Sequence, residues 1–153
     1  MNDRPTYEEL EQKIAWLSQK VNEQQAIENQ YRNLVDSTSD SLYLVDADGR
    51  YLFINHNHAR RLKIQQNDLA GLSYKDIHSP EQNAKFERKI QGVYQTGLSD
   101  SDEHHSLRDG RYFLRTFSPV RDSTHPERVI AVAVVSKDIT PRREAEEDRK
   151  SVV

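Results

Sequence analysis

Apolar residues at the start of the chain follow a helical heptad. From residue 7 to Gln24 they alternate in steps of three and four, at Tyr7, Leu10, Ile14, Leu17 and Val21. Most other positions are Glu, Gln, Lys or Asn, so the helix can bury only a narrow stripe. Thr6 and Glu9 have the spacing of a capping box, which predicts where it begins. The narrow stripe favours a coiled coil with a second copy; the alternative is a lone amphipathic helix lying on its own domain.

The stripe changes phase after Gln24, where a second apolar stripe begins. The change indicates a phase shift, a stammer or a break between two helices, and residues 26–35 are predicted to form a separate amphipathic turn. The apolar residues of both stripes that are candidates for a dimer interface are Leu10, Ile14, Leu17, Val21, Ile27, Tyr31 and Leu34.

After Asp36 the period changes to two. Apolar runs at 41–46 and 50–55 flank Asp48-Gly49, a dipeptide that favours a tight hairpin. Short helical turns are predicted over 56–63 and 67–71. A longer helix is predicted to begin with Ser79 as its cap and Pro80 as its first residue, and to end at Gly97.

The last third of the chain is predicted to form three strands and a helix. Strands at 99–107 and 111–120 are joined through Asp109-Gly110, and a strand at 128–137 is apolar on both faces, which predicts a central position. Thr140-Pro141 caps a charged final helix from Arg142 onward. Five strands with helices inserted after the second indicate an α+β fold.

Composition limits the kinds of function. The chain has 153 residues, a formal net charge of −3 and no Cys, which excludes disulfides and thiolate sites and disfavours nucleic-acid binding. The longest apolar run, 129–135, is too short to cross a bilayer, and the N-terminus lacks the apolar region of a secretory signal, so a cytoplasmic location is predicted.

Candidate catalytic and metal motifs are weak. The chain has no nucleophile elbow, no Gly-rich phosphate loop and no His-Glu-x-x-His motif, so no enzymatic activity is predicted. The pairs His56/His58 and His104/His105 lack the spacing of zinc ligands, so no metal is predicted and exposed loop-edge histidines are the expected arrangement.

Residues 28–143 resemble the PAS sensory domain family. The motifs that carry the resemblance are, in order, Asp46-Ala47-Asp48-Gly49, Phe53-Ile54-Asn55, Asp68-Leu69-Ala70-Gly71, Asp109-Gly110, Ser118-Pro119 and Asp138-Ile139-Thr140. The last triplet is the most specific. The opening residues 4–11 also resemble the lead-in to PAS modules of bacterial signalling proteins.

The resemblance implies a five-stranded antiparallel sheet with helices on one face of it, around a cavity. It divides the chain into an N-terminal coiled-coil helix (1–25), a PAS domain with its cap helix (26–140) and the start of a signalling helix (141–153). No cofactor is predicted. Thiol-linked flavin and coumaryl chromophores would need a Cys, and haem is disfavoured because residues 80–95 hold no His.

The resemblance also predicts which side chains face the cavity. The candidates are Asn57, His58, Ile90, Tyr94, Phe113, Arg115, Phe117, Ile130, Val132, Val134 and Ser136. The opposite face carries Tyr112, Leu114, Thr116, Ala131, Ala133 and Val135, and is expected to be covered by the N-terminal helix and a partner subunit.

Arg115 is the unusual member, because an unpaired buried guanidinium is very costly. Two interpretations stay open. Arg115 binds a small anionic ligand, such as a carboxylate, with help from Asn57 or His58, or it pairs internally with an Asp or Glu or turns to solvent.

The predicted function is a homodimeric relay. Asp138 and Thr140 are expected to couple the sheet to the exit helix, with Asp138 holding the strand end to the hairpin at 46–50. The implied partners are a second copy and an effector such as a histidine kinase or diguanylate cyclase, which another chain or a longer form of this protein would supply. The alternative is a ligand-free dimerisation module whose cavity is filled by Phe113, Phe117 and Tyr94.

Overall fold

A single helix forms the first of two units into which the chain divides after Ser37. The computed structural model describes residues 3–151. Helix α1 spans Tyr7–Asp36. Glu9 N–H donates to Thr6 Oγ1 and Thr6 N–H donates to Glu9 Oε2, each at 3.2 Å, which confirms the predicted capping box.

Helix α1 continues through Gln24 without interruption. The change of phase there is therefore not a break between two helices, and the prediction of a separate turn at 26–35 was wrong. No Gly or Pro lies between residues 7 and 36, so the backbone has no reason to leave the helix where the apolar stripe shifts.

The second unit holds the remaining elements. In chain order they are β1 (Ser41–Val45), β2 (Tyr51–Ile54), α2 (His56–Leu62), a 3₁₀ turn (Gln66–Asp68), α3 (Tyr74–Ile77), α4 (Pro80–Thr96), β3 (Asp100–His105), β4 (Tyr112–Arg121), β5 (Val129–Asp138) and α5 (Thr140–Ser151). Within residues 3–151, no helix is both long and apolar enough to cross a membrane.

The strands form one antiparallel sheet in the order β2-β1-β5-β4-β3. Strand β5 lies between β1 and β4, the central position that its apolar faces predict. The core lies between one face of this sheet and the helices, and its fully buried members include Val45, Phe86, Phe117 and Val132.

Local turn chemistry explains several element boundaries. In the β1–β2 hairpin, Asp46 Oδ1 accepts from the N–H groups of Asp48 and Arg50 at 2.9 and 3.0 Å. Gly49 has φ +78°, a conformation that other residues rarely adopt. Helix α4 begins after Ser79 and ends at Gly97, as predicted.

Two details of the strands and short helices differ from expectation. Helix α3 was not predicted, and it begins where Ser73 N–H and Oγ donate to Asp76 Oδ2, both at 2.9 Å. Ile130 was predicted to face the cavity, but it is 48% exposed, while Ala131 is buried. Val120 pairs with Ala131 and Arg121 with Val129, so Ile130 is an extra residue at a bulge, which shifts the alternation.

Candidate functional site

Stacked rings fill much of the interior beneath the sheet. The rings of Tyr74 and Phe86 are nearly parallel, with their centres 3.7 Å apart. The ring of His78 also stacks on that of Tyr74, at 3.5 Å. Phe117 is fully buried with its ring 5.8 Å from that of Phe86. The inner face of the sheet is therefore packed largely by the protein's own aromatic side chains.

Most of the predicted cavity residues are buried. Those that are buried are His58, Ile90, Phe113, Arg115, Phe117, Val132, Val134 and Ser136. Asn57 and Tyr94 are only partly buried. Tyr94 packs against the edge of the core, and Asn57 donates from Nδ2 to the backbone carbonyl of Ser39 at 2.6 Å.

Arg115 is held entirely by internal partners. Its Nε and Nη2 donate to the two carboxylate oxygens of Asp102 at 2.9 and 2.8 Å, and its Nη1 donates to the Tyr74 hydroxyl at 2.8 Å. Burial alone would lower the pKa of Arg115, but the hydrogen bond with Asp102 and the nearby tyrosines raise it above its ordinary value. Of the two interpretations left open for Arg115, the internal pair is the one the structure contains.

Sequence reasoning missed Asp102 and Tyr74 as partners of Arg115. Asp102 lies directly opposite Arg115 in the β3–β4 ladder. This register follows from a four-residue loop at 107–110 between Ser106 and Arg111, whereas a two-residue turn at Asp109-Gly110 would have placed His104 opposite Arg115. Tyr74 reaches Arg115 from α3, a short helix that was not predicted although Ser73 and Asp76 have the spacing of a capping box.

His58 is buried, and neither of its ring nitrogens has a hydrogen-bond partner within residues 3–151. Its ring stacks on that of Tyr43 at 4.4 Å, and only 5% of the residue is exposed. Burial, with a smaller effect of the Arg61 charge, lowers the pKa of His58 to about 3. The buried hydroxyl of Tyr51 also lacks a partner in the part of the chain that the structure describes, and burial raises its pKa. A neutral His58 therefore belongs to the core rather than to an anion clamp with Arg115.

The histidines of β3 and its surroundings lie against other rings. His105 stacks on Tyr112 at 4.3 Å, and the ring of His104 lies 6.1 Å from that of His78, edge to face. Burial is the main reason why the pKa of His104 falls to about 3. Within the described part of the chain, no three His, Asp or Glu residues lie close enough to hold a metal ion.

The start of the exit helix is tied to β4. Asp138 Oδ2 accepts from Arg111 Nη1 at 2.6 Å, and its Oδ1 accepts from Thr140 N–H at 2.9 Å. Thr140 Oγ1 accepts from Tyr112 N–H at 2.8 Å, and Ile139 N–H donates to the Tyr112 carbonyl at 2.8 Å. Burial acts to raise the pKa of Asp138, but hydrogen bonds from Thr140 and the Arg111 guanidinium lower it overall. We call the five residues Arg111, Tyr112, Asp138, Ile139 and Thr140 the exit junction.

The predicted contact between Asp138 and the hairpin at 46–50 was wrong. Strands β1 and β5 are antiparallel, with Ser41 opposite Ser136 and Val45 opposite Val132. The hairpin after β1 therefore lies beyond the opposite end of β5, and Asp138 meets Arg111 at the β3–β4 hairpin instead.

A further contact fastens α5 to the sheet. Arg143 Nη1 donates to Glu103 Oε2 at 3.0 Å, and its guanidinium lies 4.2 Å from the centre of the Tyr112 ring. Charged and aromatic side chains therefore join the first turn of α5 to β3 and β4.

Comparisons with solved structures show this fold in signalling proteins. The chain is similar to the PAS domain of Bordetella pertussis BvgS, with 18% identity, a TM-score of 0.62, and coverage of 81% of this chain and 94% of that one. It is also similar to a sensory box sensor histidine kinase from Vibrio cholerae, with 17% identity, a TM-score of 0.56, and coverage of 79% and 98%. A third match, the Vibrio cholerae VqmA dimer, described as a DNA-binding LuxR-type receptor, has 20% identity, a TM-score of 0.62 and coverage of 74% and 52%.

Sequence comparison gives the family directly. No curated protein matches the chain. The family model for the PAS fold matches residues 35–144, which is most of the chain and includes the sheet, the aromatic interior and the exit junction. The protein therefore belongs to the PAS family of sensory domains.

Proposed function

We propose that the protein is the sensory or relay part of a bacterial signalling protein, which works as a homodimer and passes a change in the PAS domain to α5. One observation carries the proposal: the exit junction fastens the start of α5 to the strand that also lines the interior. Residues Phe113, Arg115 and Phe117 of β4 are buried in the core. Tyr112, the first residue of the same strand, holds Thr140 and Ile139.

This arrangement supports a mechanical link. A signal that moves β4 moves the anchor of α5 with it, because Tyr112 and Phe113 are adjacent in one strand. A ligand or partner shifts such an equilibrium only to the extent that it binds the two states unequally. The ion pair between Arg111 and Asp138 would set the position of the helix. When the pair is formed (closed), it would hold the start of α5 at β4, and when it is broken (open), it would release it.

The link is testable by hydrogen exchange. Asp138→Ala removes both carboxylate contacts of the exit junction, and a hydrogen bond to a charged group contributes about 1.5–3 kcal/mol. Amides in the first turn of α5 are then expected to exchange about ten-fold faster or more, measured by mass spectrometry at neutral pH. Glu127→Ala, which removes an exposed carboxylate near the other end of β5, is the matched control.

Coupling of α5 to an effector can be tested in a fusion protein. The carboxyl end of the chain is joined to the catalytic part of a sensor histidine kinase, and autophosphorylation is measured for the parent, Asp138→Ala and Glu127→Ala. We expect Asp138→Ala alone to change the kinase rate. Unchanged rates together with unchanged exchange in α5 would refute the relay.

The homodimer is proposed to form through α1. Its apolar stripe is open to solvent, with Ile14 63%, Leu17 47% and Val21 52% exposed. The 30-residue helix has no buried residue, and a solitary helix with so narrow an apolar stripe is marginal in water. A second copy of the same stripe would bury these side chains in a coiled coil.

Sedimentation equilibrium tests this interface. We expect a dimer at micromolar concentration and a monomer for Leu17→Asp, because an aspartate in the apolar seam would have to be buried without a partner. Gln12→Asp makes the same change of charge on the polar face and should remain a dimer. A monomeric parent protein, or a dimeric Leu17→Asp variant, would contradict pairing through α1.

A ligand-free module is the second candidate, because the aromatic stack fills the space beneath the sheet. Such a protein would respond to a conformational change delivered through α1 rather than to a molecule in the interior. Native mass spectrometry of the purified protein separates the two, since a bound small molecule would add its mass to that of the chain.

A further inference from the structure

A cleft of about 220 Å³ opens beside the exit junction. It lies between α2, the β3–β4 hairpin, the start of β1 and the end of β5. Its walls include Ser41, Asn57, Arg61, Asp109, Arg111 and Asp138. The Arg111–Asp138 pair, which fastens the exit helix, is therefore part of the wall of this cleft.

Two hydrogen-bond donors in this wall have no partner among the described residues. Ser41 is 1% exposed and its Oγ is unpaired, and the Nε of Arg61 is likewise buried and unpaired. A buried donor without an acceptor costs about 1–3 kcal/mol. Both groups therefore favour a molecule that supplies acceptor oxygens, which each can meet after a rotation of its side chain.

The charge of Arg61 is only partly balanced. Its Nη2 lies 3.7 Å from Asp109 Oδ2, too far for a hydrogen bond. The guanidinium lies over the Phe113 ring at 3.9 Å, which shields one of its faces from water. Burial lowers the pKa of Arg61, and Asp109 opposes this only in part, so an added negative charge would stabilise the guanidinium.

Size and surrounding charge limit the ligand class. At roughly 30 Å³ per water molecule, the cleft has the volume of about seven waters, enough for a molecule of a few heavy atoms. The carboxylates of Asp109 and Asp138 in the wall disfavour an anion with two negative charges, such as hydrogen phosphate. One negative charge shared by two oxygens matches the two unpaired donors.

We propose that this cleft binds a small monocarboxylate, whose oxygens accept hydrogen bonds from Arg61 Nε and Ser41 Oγ. The inference deepens the proposed relay function and rests on it, because the bound molecule would lie against the Arg111–Asp138 pair and bias its closed or open arrangement. The sequence left open a carboxylate site at Arg115, and we place it instead at Arg61, whose Nε has no acceptor among residues 3–151.

The test is an NMR titration of the whole chain, uniformly labelled with ¹⁵N, with sodium propionate. Sodium chloride at equal ionic strength and sodium phosphate are run in parallel. We expect saturable shifts of the amides of Ser41, Arg61 and Asp138 with propionate, none with chloride and weaker ones with phosphate.

Variants assign the donors. Arg61→Gln and Ser41→Ala should each weaken propionate binding about ten-fold, the loss expected for one hydrogen bond to a charged group. Lys63→Gln removes the same charge from the exposed residue that ends α2 and should bind as the parent does. Ser41→Ala also deletes an unpaired buried hydroxyl, so its melting temperature should be unchanged or higher, which shows that the fold is intact.

The outcomes separate this inference from the relay. Absence of saturable propionate binding, equal binding by Arg61→Gln, or phosphate binding as strong as propionate binding would overturn the carboxylate site, whatever Asp138→Ala does to α5. Propionate binding that leaves hydrogen exchange in α5 unchanged, together with an unchanged Asp138→Ala variant, would refute the relay and leave the site standing.

Discussion

Replacing His58 with Phe should stabilise the protein, and more so in acid. At neutral pH the substitution keeps a ring stacked on Tyr43 and removes two buried nitrogens that have no partner. Because an unsatisfied buried polar group costs about 1–3 kcal/mol, we expect the free energy of unfolding at pH 7.5 to rise by about 1–2 kcal/mol.

The gain should grow as the pH falls. His58 takes up a proton near pH 6.5 in the unfolded chain and only at about pH 3 in the folded one. Between these values the unfolded state binds the extra proton, so the parent loses stability as the pH falls, by about 1.4 kcal/mol per unit. At pH 5 this adds about 2 kcal/mol to the advantage of the His58→Phe variant, which has no such proton to bind.

Urea unfolding followed by circular dichroism at pH 7.5, 6.0 and 5.0 measures both effects. His58→Gln is the control, because it abolishes the titration but keeps unpaired polar atoms in the core. It should share the flatter pH dependence of His58→Phe without the gain at pH 7.5. Parallel loss of stability in the parent and His58→Phe, or an NMR titration of His58 near its ordinary pKa, would refute the reasoning.

Two further substitutions test the interior and a helix end. Arg115→Met leaves the Asp102 carboxylate without its partner and should cost about 3 kcal/mol in urea unfolding, much of which Arg115→Met/Asp102→Leu should recover; a neutral single variant would contradict the buried pair. Gly97→Ala forces a side chain onto φ +67° and within 2.7 Å of Arg121 Nη2, whereas Gly92→Ala meets nothing within 4 Å inside α4. The first should lower the melting temperature by about 2–4 °C and the second should raise it, and equal effects would contradict the strain argument.

Features that depend on neighbouring residues could be predicted from the sequence. The Asp48-Gly49 hairpin and both ends of α4 follow from turn and cap chemistry within a few positions, and the structure has them there. Alternation placed Phe113 and Phe117 on the same face of β4, and the family resemblance indicated that this face is the inner one.

Features that depend on distant residues were missed. The bulge that exposes Ile130 arises from the pairing of β5 with β4, and no local signal marks it. The partner of Arg115 had to be chosen among many acidic residues, and only the register of β3 selects Asp102. His58 resembled a polar ligand group in the sequence, yet its ring is packed in the core because α2 lies over Tyr43.

Strand β3 is an edge strand of the sheet, and its composition affects whether another strand can pair with it. Its backbone borders only β4, and it carries Asp100, Asp102 and Glu103. Charged side chains on an edge strand disfavour its pairing with the edge of another sheet, because their water would be lost on pairing. The three carboxylates that pair with Lys89, Arg115 and Arg143 therefore also disfavour strand addition at β3.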